Sequence, residues 1–113
     1  MVSRYVPSSG DLVWLTFTPQ AGHEQAGHRP ALVISQKSYN QRTGLALFCP
    51  LTSRAKGYPF EVECRGTKVN GVVLADQVKS LDWKVRNARR IESAPDGVLE
   101  EALAKLKALL PAD

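Results

Sequence analysis

The stretch Gly22-His-Glu-Gln-Ala-Gly-His-Arg-Pro30 holds both histidines of the chain, together with a carboxylate and an arginine. Downstream stand a hydroxyl, Thr52, and a lysine, Lys56. Glu24, His28, Arg29, Thr52 and Lys56 together supply what metal-free cleavage of RNA requires. RNA carries its own nucleophile in the 2′-OH, so a protein has three tasks: to deprotonate that hydroxyl, to protonate the departing 5′-oxygen and to stabilise the charge on the phosphorane. Arginine and lysine stabilise charge, a threonine hydroxyl holds a phosphate oxygen, and glutamate or histidine moves protons. These residue types are common, and their spacing alone does not select this chemistry. The same segment also reads as a polar, glycine-rich turn.

Other chemistries lack their motifs. There is no phosphate-binding glycine loop of the Walker or dinucleotide type and no Gly-x-Ser-x-Gly elbow. His23, His28, Cys49 and Cys64 lack the paired spacing of a zinc site, so no metal and no cofactor is expected. Cys49 and Cys64 fall at inward strand positions and read as small core residues. Trp14 and Phe17 read as core or interface. Trp83, set among bases, is the better base-stacking residue, with core burial as its alternative.

The elements that must position these groups follow from hydrophobic period. Apolar residues come in short bursts up to about residue 93 and at helical spacing only beyond it. Residues 12–17, 31–34, 45–49, 60–64 and 71–75 have strand composition. Residues 31–34 and 45–49 are continuous apolar runs, as expected of strands covered on both faces. Residues 60–64 alternate, with Phe60, Val62 and Cys64 facing in and Glu61 and Glu63 facing water. Residues 66–71 predict a hairpin to the next strand, and a further strand is expected within residues 83–91. Leu99, Ala102, Leu103, Leu106, Leu109 and Leu110 recur three and four apart and make one helical face. Ser93, Pro95 and Asp96 mark its start and Pro111 its end. Residues 18–29 and 36–44 are the longest connections. The fold class is mainly β (α+β): a small barrel or curled antiparallel sheet with a C-terminal helix packed on it, as one domain over residues 1–113.

With 113 residues and 43% hydrophobic composition, the chain can build one core. Its longest nearly apolar run, residues 45–51, is far below the roughly 20 residues that span a membrane. The first ten residues have no apolar signal segment. Two cysteines make no disulfide framework, so the expected compartment is the cytoplasm. The net charge of +4 is unevenly spread. Residues 25–60 carry five bases and no acid, residues 77–91 carry five bases against Asp82, and the remainder has a net charge of −5. Two basic segments on an acidic remainder predict an electrostatic groove for nucleic acid or an acidic peptide, if the fold brings them together.

Several blocks, in order, carry a resemblance: Gly10-Asp-Leu-Val-Trp14, Glu24-Gln-Ala-Gly-His-Arg-Pro30, Pro50-Leu-Thr52, Lys56-Gly-Tyr-Pro-Phe-Glu-Val62 and Leu74-Ala-Asp-Gln-Val-Lys-Ser80. The chain resembles the MazF/PemK family of toxin endoribonucleases of type II toxin–antitoxin systems over nearly its whole length. The resemblance implies an SH3-like barrel with a C-terminal helix and a homodimer that cuts single-stranded mRNA at short sequences, leaving a 2′,3′-cyclic phosphate and a 5′-hydroxyl. It assigns Arg29 to proton transfer and charge stabilisation, Thr52 to the scissile phosphate and Glu24 to activity or substrate positioning. It makes His28, Lys56, Gln77 and Arg86 RNA contacts; Asp76 reads as a further acid or base, or as a turn carboxylate paired with a local base. A guanidinium stays protonated in proteins, which favours the electrostatic role of Arg29 over that of a base. The implied partner is a MazE-like antitoxin whose acidic, disordered C-terminal segment competes with RNA for the basic surface. Two other functions share the fold: a non-catalytic toxin of the gyrase-inhibitor type and an RNA-binding module. A pure protein binder would not need Arg29 and Thr52.

Overall fold

The computed structural model describes residues 5–17 and 27–112. Seven strands and two helices follow one another as β1 (Asp11–Phe17), β2 (Gly27–Val33), α1 (Lys37–Thr43), β3 (Leu45–Thr52), β4 (Glu61–Arg65), β5 (Asn70–Leu74), β6 (Lys79–Asp82), β7 (Arg89–Ser93) and α2 (Val98–Lys107). All strand pairs are antiparallel, in the spatial order β4-β5-β3-β2-β1-β7, with β6 also on β3. β3 organises this curled sheet. Its first half pairs with β6 through Leu45–Phe48, and its last residues, Leu51 and Thr52, pair with β5. The long strand therefore passes from one part of the sheet to another and delivers Thr52 at its far end.

The continuous apolar runs are explained by two cores, one on each face. Leu12, Leu32, Cys49, Leu51, Val62, Cys64 and Val73 pack on one side, where Val98 and Ala102 of α2 cover them. Val13, Leu15, Phe17, Ala31, Val33, Ala46, Phe48 and Trp83 fill the other. Successive residues of β1, β2 and β3 thus enter opposite cores, as strand geometry requires. Cys49 and Cys64 are free and fully buried, and burial pushes the Cys49 thiol up to about 12 and raises that of Cys64. They are core residues, as expected.

Five expectations need correction. Residues 36–44 are not a loop, because they contain α1. That helix has no apolar stripe. It is held by Asn40, fully buried, whose Nδ2 donates to the carbonyls of Pro7 (2.8 Å) and Ser35 (3.1 Å). His28, Arg29 and Pro30 lie in β2, not in a turn, paired with Thr16, Leu15 and Trp14. The single strand expected in residues 83–91 is replaced by β6 before it and β7 at its end. Between them Asp82 accepts the N–H groups of Lys84 and Val85 (3.0 Å each), and the chain reverses through Asn87 at φ 56°. Helix α2 starts at Val98 after Gly97 instead of at Ser93. Ser93 is still in β7, and its hydroxyl accepts a bond from Arg90 Nη2 (2.8 Å). Finally, the leucine face of α2 is covered only along its first half. Val98 and Ala102 are buried, but Leu103, Leu109 and Leu110 are exposed.

Candidate active site

The ends of β2, β3 and β5 open into one groove of about 1160 Å³, lined by Arg29, Thr52, Arg54, Lys56, Tyr58, Glu61, Asp76 and Gln77 among others. Each element has a local reason to bring its residue there. Arg29 stands on the part of β2 that pairs with β1 alone, beyond the reach of β3, which joins only from Ala31. Pro30 is tolerated in that ribbon because β2 has one partner there, leaving its missing N–H without cost to a ladder. Thr52 ends β3 opposite Val72, and its hydroxyl accepts the N–H of Arg54 at 3.2 Å. Gly71 lies so close that a Cβ on it would stand 2.5 Å from the Thr52 carbonyl oxygen, so only glycine fits beside that backbone. Asp76 and Gln77 follow β5 in a turn closed by Gln77 N–H to the Leu74 carbonyl at 3.1 Å.

Two carboxylates fix the wall that carries Lys56. Glu61 accepts the backbone N–H groups of Lys56 (2.9 Å), Gly57 (3.1 Å) and Tyr58 (3.2 Å). Gly57 takes a left-handed conformation, φ +77°, which lets three successive N–H groups converge on one carboxylate. At the tip, the Tyr58 hydroxyl donates to Asp76 Oδ2 at 2.7 Å. That hydrogen bond, helped by burial and the Asp76 charge, raises the phenol above its ordinary range. Among the described residues, Asp76 Oδ1 is buried and has no hydrogen-bond partner. Glu61, expected to face water, is therefore half-buried and structural. Its carbonyl also accepts Lys105 Nζ of α2 at 2.7 Å.

Five of the residues singled out from sequence thus share the groove: Arg29, Thr52, Lys56, Asp76 and Gln77. His28 and Arg86 do not line it. The His28 ring stacks on Trp14 with centroids 5.3 Å apart and planes 9° apart, and its Nδ1 lies 3.2 Å from Thr16 Oγ1. Arg86 Nη1 donates to the Thr16 carbonyl at 3.3 Å. They form a second cluster at the end of β1. Glu24 and His23 lie outside the described residues. Trp83 is buried, with its Nε1 donating to the Asn40 carbonyl at 2.9 Å, so it offers no face for stacking. Trp14, read as core or interface, is 40% exposed, so it is not a core residue. Sequence reasoning assigned no role to Tyr58 or Glu61, although both stand in the quoted Lys56-Gly-Tyr-Pro-Phe-Glu block. The signal available was a glycine turn followed within five residues by a carboxylate.

The charge also settles differently from expectation. The groove takes Arg29, Arg54 and Lys56 from the first basic segment and no base from the second. Arg90, on β7, lies 3.5 Å from Asp11 across the sheet. A smaller cleft of about 410 Å³ between β1, β7 and the start of α2 carries Asp11, Asp96 and Glu100 and no lysine or arginine, the wrong sign for a polyanion. Among the described residues no cluster of histidine, cysteine or carboxylate side chains is arranged to hold a metal ion, and no helix is long and apolar enough to cross a membrane.

Comparison with known proteins matches this geometry to a family. Residues 8–110 match the model of the PemK-like, MazF-like toxin of type II toxin–antitoxin systems. The endoribonuclease toxin MazF of Escherichia coli is 50% identical over 110 residues, which cover 97% of this chain and 99% of that protein. The endoribonuclease toxin ChpB of the same species is 41% identical over 116 residues, covering 97% and 99%. A crystal structure of MazF from Deinococcus radiodurans superposes with a TM-score of 0.88 at 59% identity, over 93% of this chain and 96% of that one. A MazE–MazF structure from the same organism superposes with a TM-score of 0.83 at 57% identity, again over 93% and 96%. With the sheet, the helix and nearly the full length in agreement, the chain belongs to the PemK-like, MazF-like toxin family of type II toxin–antitoxin systems.

Proposed function

We propose that this protein is the endoribonuclease toxin of a type II toxin–antitoxin pair, acting in the cytoplasm on single-stranded mRNA at a short recognition sequence. The single observation that carries the reading is the meeting of Arg29, Thr52 and Lys56, from three separate parts of the chain, in one groove. Their chemistry suits a phosphodiester. The Arg29 guanidinium offers a planar fork of donors to the non-bridging oxygens, where negative charge grows as the phosphorane forms. The Thr52 hydroxyl holds one of those oxygens, and Lys56 and Arg54 draw in the flanking phosphates. The attacking group is the substrate's 2′-OH, so the products carry a 2′,3′-cyclic phosphate and a 5′-hydroxyl, and the reaction runs without a metal.

Proton transfer falls to Glu24, whereas Asp76, whose Oδ2 accepts the Tyr58 hydroxyl, serves to hold the groove wall. Arg29 serves chiefly as the charge stabiliser. Gln77 contacts RNA inside the groove, and His28 and Arg86 contact it from the neighbouring cluster around Thr16. The basic groove also suits the acidic C-terminal segment of a cognate antitoxin, and the MazF of Deinococcus radiodurans is found in complex with MazE. Inhibition is then competition for one surface. Two copies of the chain form the active homodimer.

Incubation with a long RNA in excess EDTA tests the reading. We expect discrete cuts that map to one short sequence, their loss in Arg29→Ala, and their loss when the cut position carries a 2′-deoxy sugar. Uncut RNA under all conditions would instead favour a binding toxin. Dependence on a divalent ion would remove the metal-free mechanism.

A further inference from the structure

Three aromatic side chains are substantially exposed among the described residues: Trp14, Tyr39 and Tyr58. Trp14 lies parallel to the His28 ring outside the groove, and Tyr39 belongs to α1, also outside it. Tyr58 alone of the three lines the groove, nearly half exposed at 46%, together with Arg29, Arg54, Lys56 and Gln77. It is also the most constrained of the three. Its N–H is bound to Glu61, its hydroxyl donates to Asp76 Oδ2, and its ring rests tilted on Phe60, 5.7 Å between centroids at 54°.

An exposed ring fixed at its backbone, edge and tip has already lost the freedom that binding would otherwise cost. Tyrosine suits such a role, because it presents a large flat surface with only two side-chain torsions. Single-stranded RNA is gripped by this combination of cationic phosphate contacts and an aromatic face for an unstacked base. Proton abstraction is a poor alternative for this residue, since the Asp76 hydrogen bond keeps the phenol protonated as a donor. Asp76 Oδ2 receives the Tyr58 hydroxyl while Oδ1 is buried without a partner among the described residues, so that one contact ties the carboxylate to the ring.

We infer that Tyr58 stacks on a nucleobase of the bound RNA, and that Asp76 is a positioning residue that sets the angle of the ring. This assignment rests on the endoribonuclease reading of the groove. It adds a residue that binds the substrate to those that act on its phosphate. The stack selects an unpaired base and therefore a single strand, and it fixes one nucleotide relative to Arg29 and Thr52.

The test uses the full-length protein and an RNA oligonucleotide containing the mapped cut site with a 2′-deoxy sugar at the cut position. An abasic nucleotide is walked along this probe, and Kd is read by fluorescence anisotropy. At one position, removal of the base should weaken wild-type binding about tenfold. Tyr58→Ala and Tyr58→Leu should bind the intact probe about tenfold more weakly and lose nothing more at that abasic position. Tyr58→Phe and Asp76→Ala, which keep the ring but release its tip, should show a smaller loss of binding and a larger fall in kcat on cleavable RNA. Melting curves check that each variant is folded, and Tyr58→Leu covers the case in which alanine unfolds the wall. Wild-type affinity in both Tyr58→Ala and Tyr58→Leu, or losses that add at every abasic position, would overturn the inference. Cleavage abolished by Arg29→Ala would then leave the endoribonuclease reading intact, whereas failure of the wild-type protein to cut RNA removes that reading itself.

Discussion

The β4–β5 pair is closed at both ends by a turn whose backbone N–H groups converge on a glutamate, yet the two clamps are built differently. At the groove end, Glu61 closes the turn of residues 56–58, which lies only three to five positions before it. At the far end, Glu92 of β7 reaches across the fold to the hairpin. It accepts the N–H groups of Thr67 (3.2 Å), Lys68 (3.0 Å) and Val69 (3.1 Å) and the Thr67 hydroxyl (2.6 Å). A clamp between residues 23 to 25 positions apart ties a turn to a distant strand and adds to the stability of the sheet. A clamp within five residues orders a loop without joining two parts of the fold. The molecule thus uses one device for two purposes, to hold the hairpin shut and to hold Lys56 and Tyr58 in place.

The largest effect should come from disturbing the groove side through its backbone. Gly71→Ala places a methyl group 2.5 Å from the Thr52 carbonyl oxygen, and neither backbone can yield cheaply. The shift of Thr52 should lower kcat/KM on the order of a hundredfold, as expected for an ångström-scale misplacement of the group proposed to hold the scissile phosphate. Overpacking should also lower stability by about 1–3 kcal/mol in urea denaturation. Near-normal cleavage would show that Thr52 does not need its present position.

The clamps themselves give the sharper contrast. Glu61→Ala should cost on the order of tenfold in kcat/KM with little change in melting temperature, because it frees a local turn that carries Lys56. Glu92→Ala should do the reverse, lowering the melting temperature by several degrees and leaving cleavage unchanged at temperatures where the variant is folded. Equal effects on activity and stability in both variants would dissolve the distinction.

Acid provides a third comparison. The Thr67 hydroxyl, followed by the surrounding backbone N–H groups, holds the Glu92 carboxyl below the usual carboxylate range. A lowered folded-state value means that the clamp contributes fully above the ordinary glutamate range and is lost as pH falls through the lowered value. Melting temperature should therefore drop more steeply on acidification below about pH 4.5 in the wild type than in Glu92→Ala. Parallel curves would mean that Glu92 binds protons alike in the folded and unfolded chain.

How far the sequence foretold this arrangement depended on whether side chains or distant backbone did the work. β1, β3 and α2 were legible because their apolar period is set by the cores they enter. Helix α1 was not, because Lys37-Ser-Tyr-Asn-Gln-Arg-Thr43 has no apolar face, and Asn40 anchors it through hydrogen bonds to Pro7 and Ser35. Arg29 stands in a strand although Gly27, His28 and Pro30 spell a turn, since pairing with β1 prevails over local preference there. The family resemblance singled out Arg29, Thr52, Lys56, Asp76 and Gln77, and these five line one groove. Their convergence on one groove, and the separation of His28 and Arg86 from it, depended on strand register, which composition does not carry. The two basic segments looked equivalent in charge, but only the first sends its bases into the groove.

The smallest expected effect concerns the support that the groove clamp receives from α2. Lys105 of α2 donates to the Glu61 carbonyl at 2.7 Å and pairs with Glu101 at 3.2 Å. The Glu101 contact is an exposed pair one helical turn apart and contributes little. The bond to the carbonyl is charge-assisted and partly shielded, so Lys105→Met should lower stability by about 1 kcal/mol, measured by urea denaturation. Cleavage should change less than twofold, because the Glu61 side chain and its three N–H partners are untouched. A fall in activity as large as that of Glu61→Ala would mean that α2, and not the local turn, sets the position of Lys56.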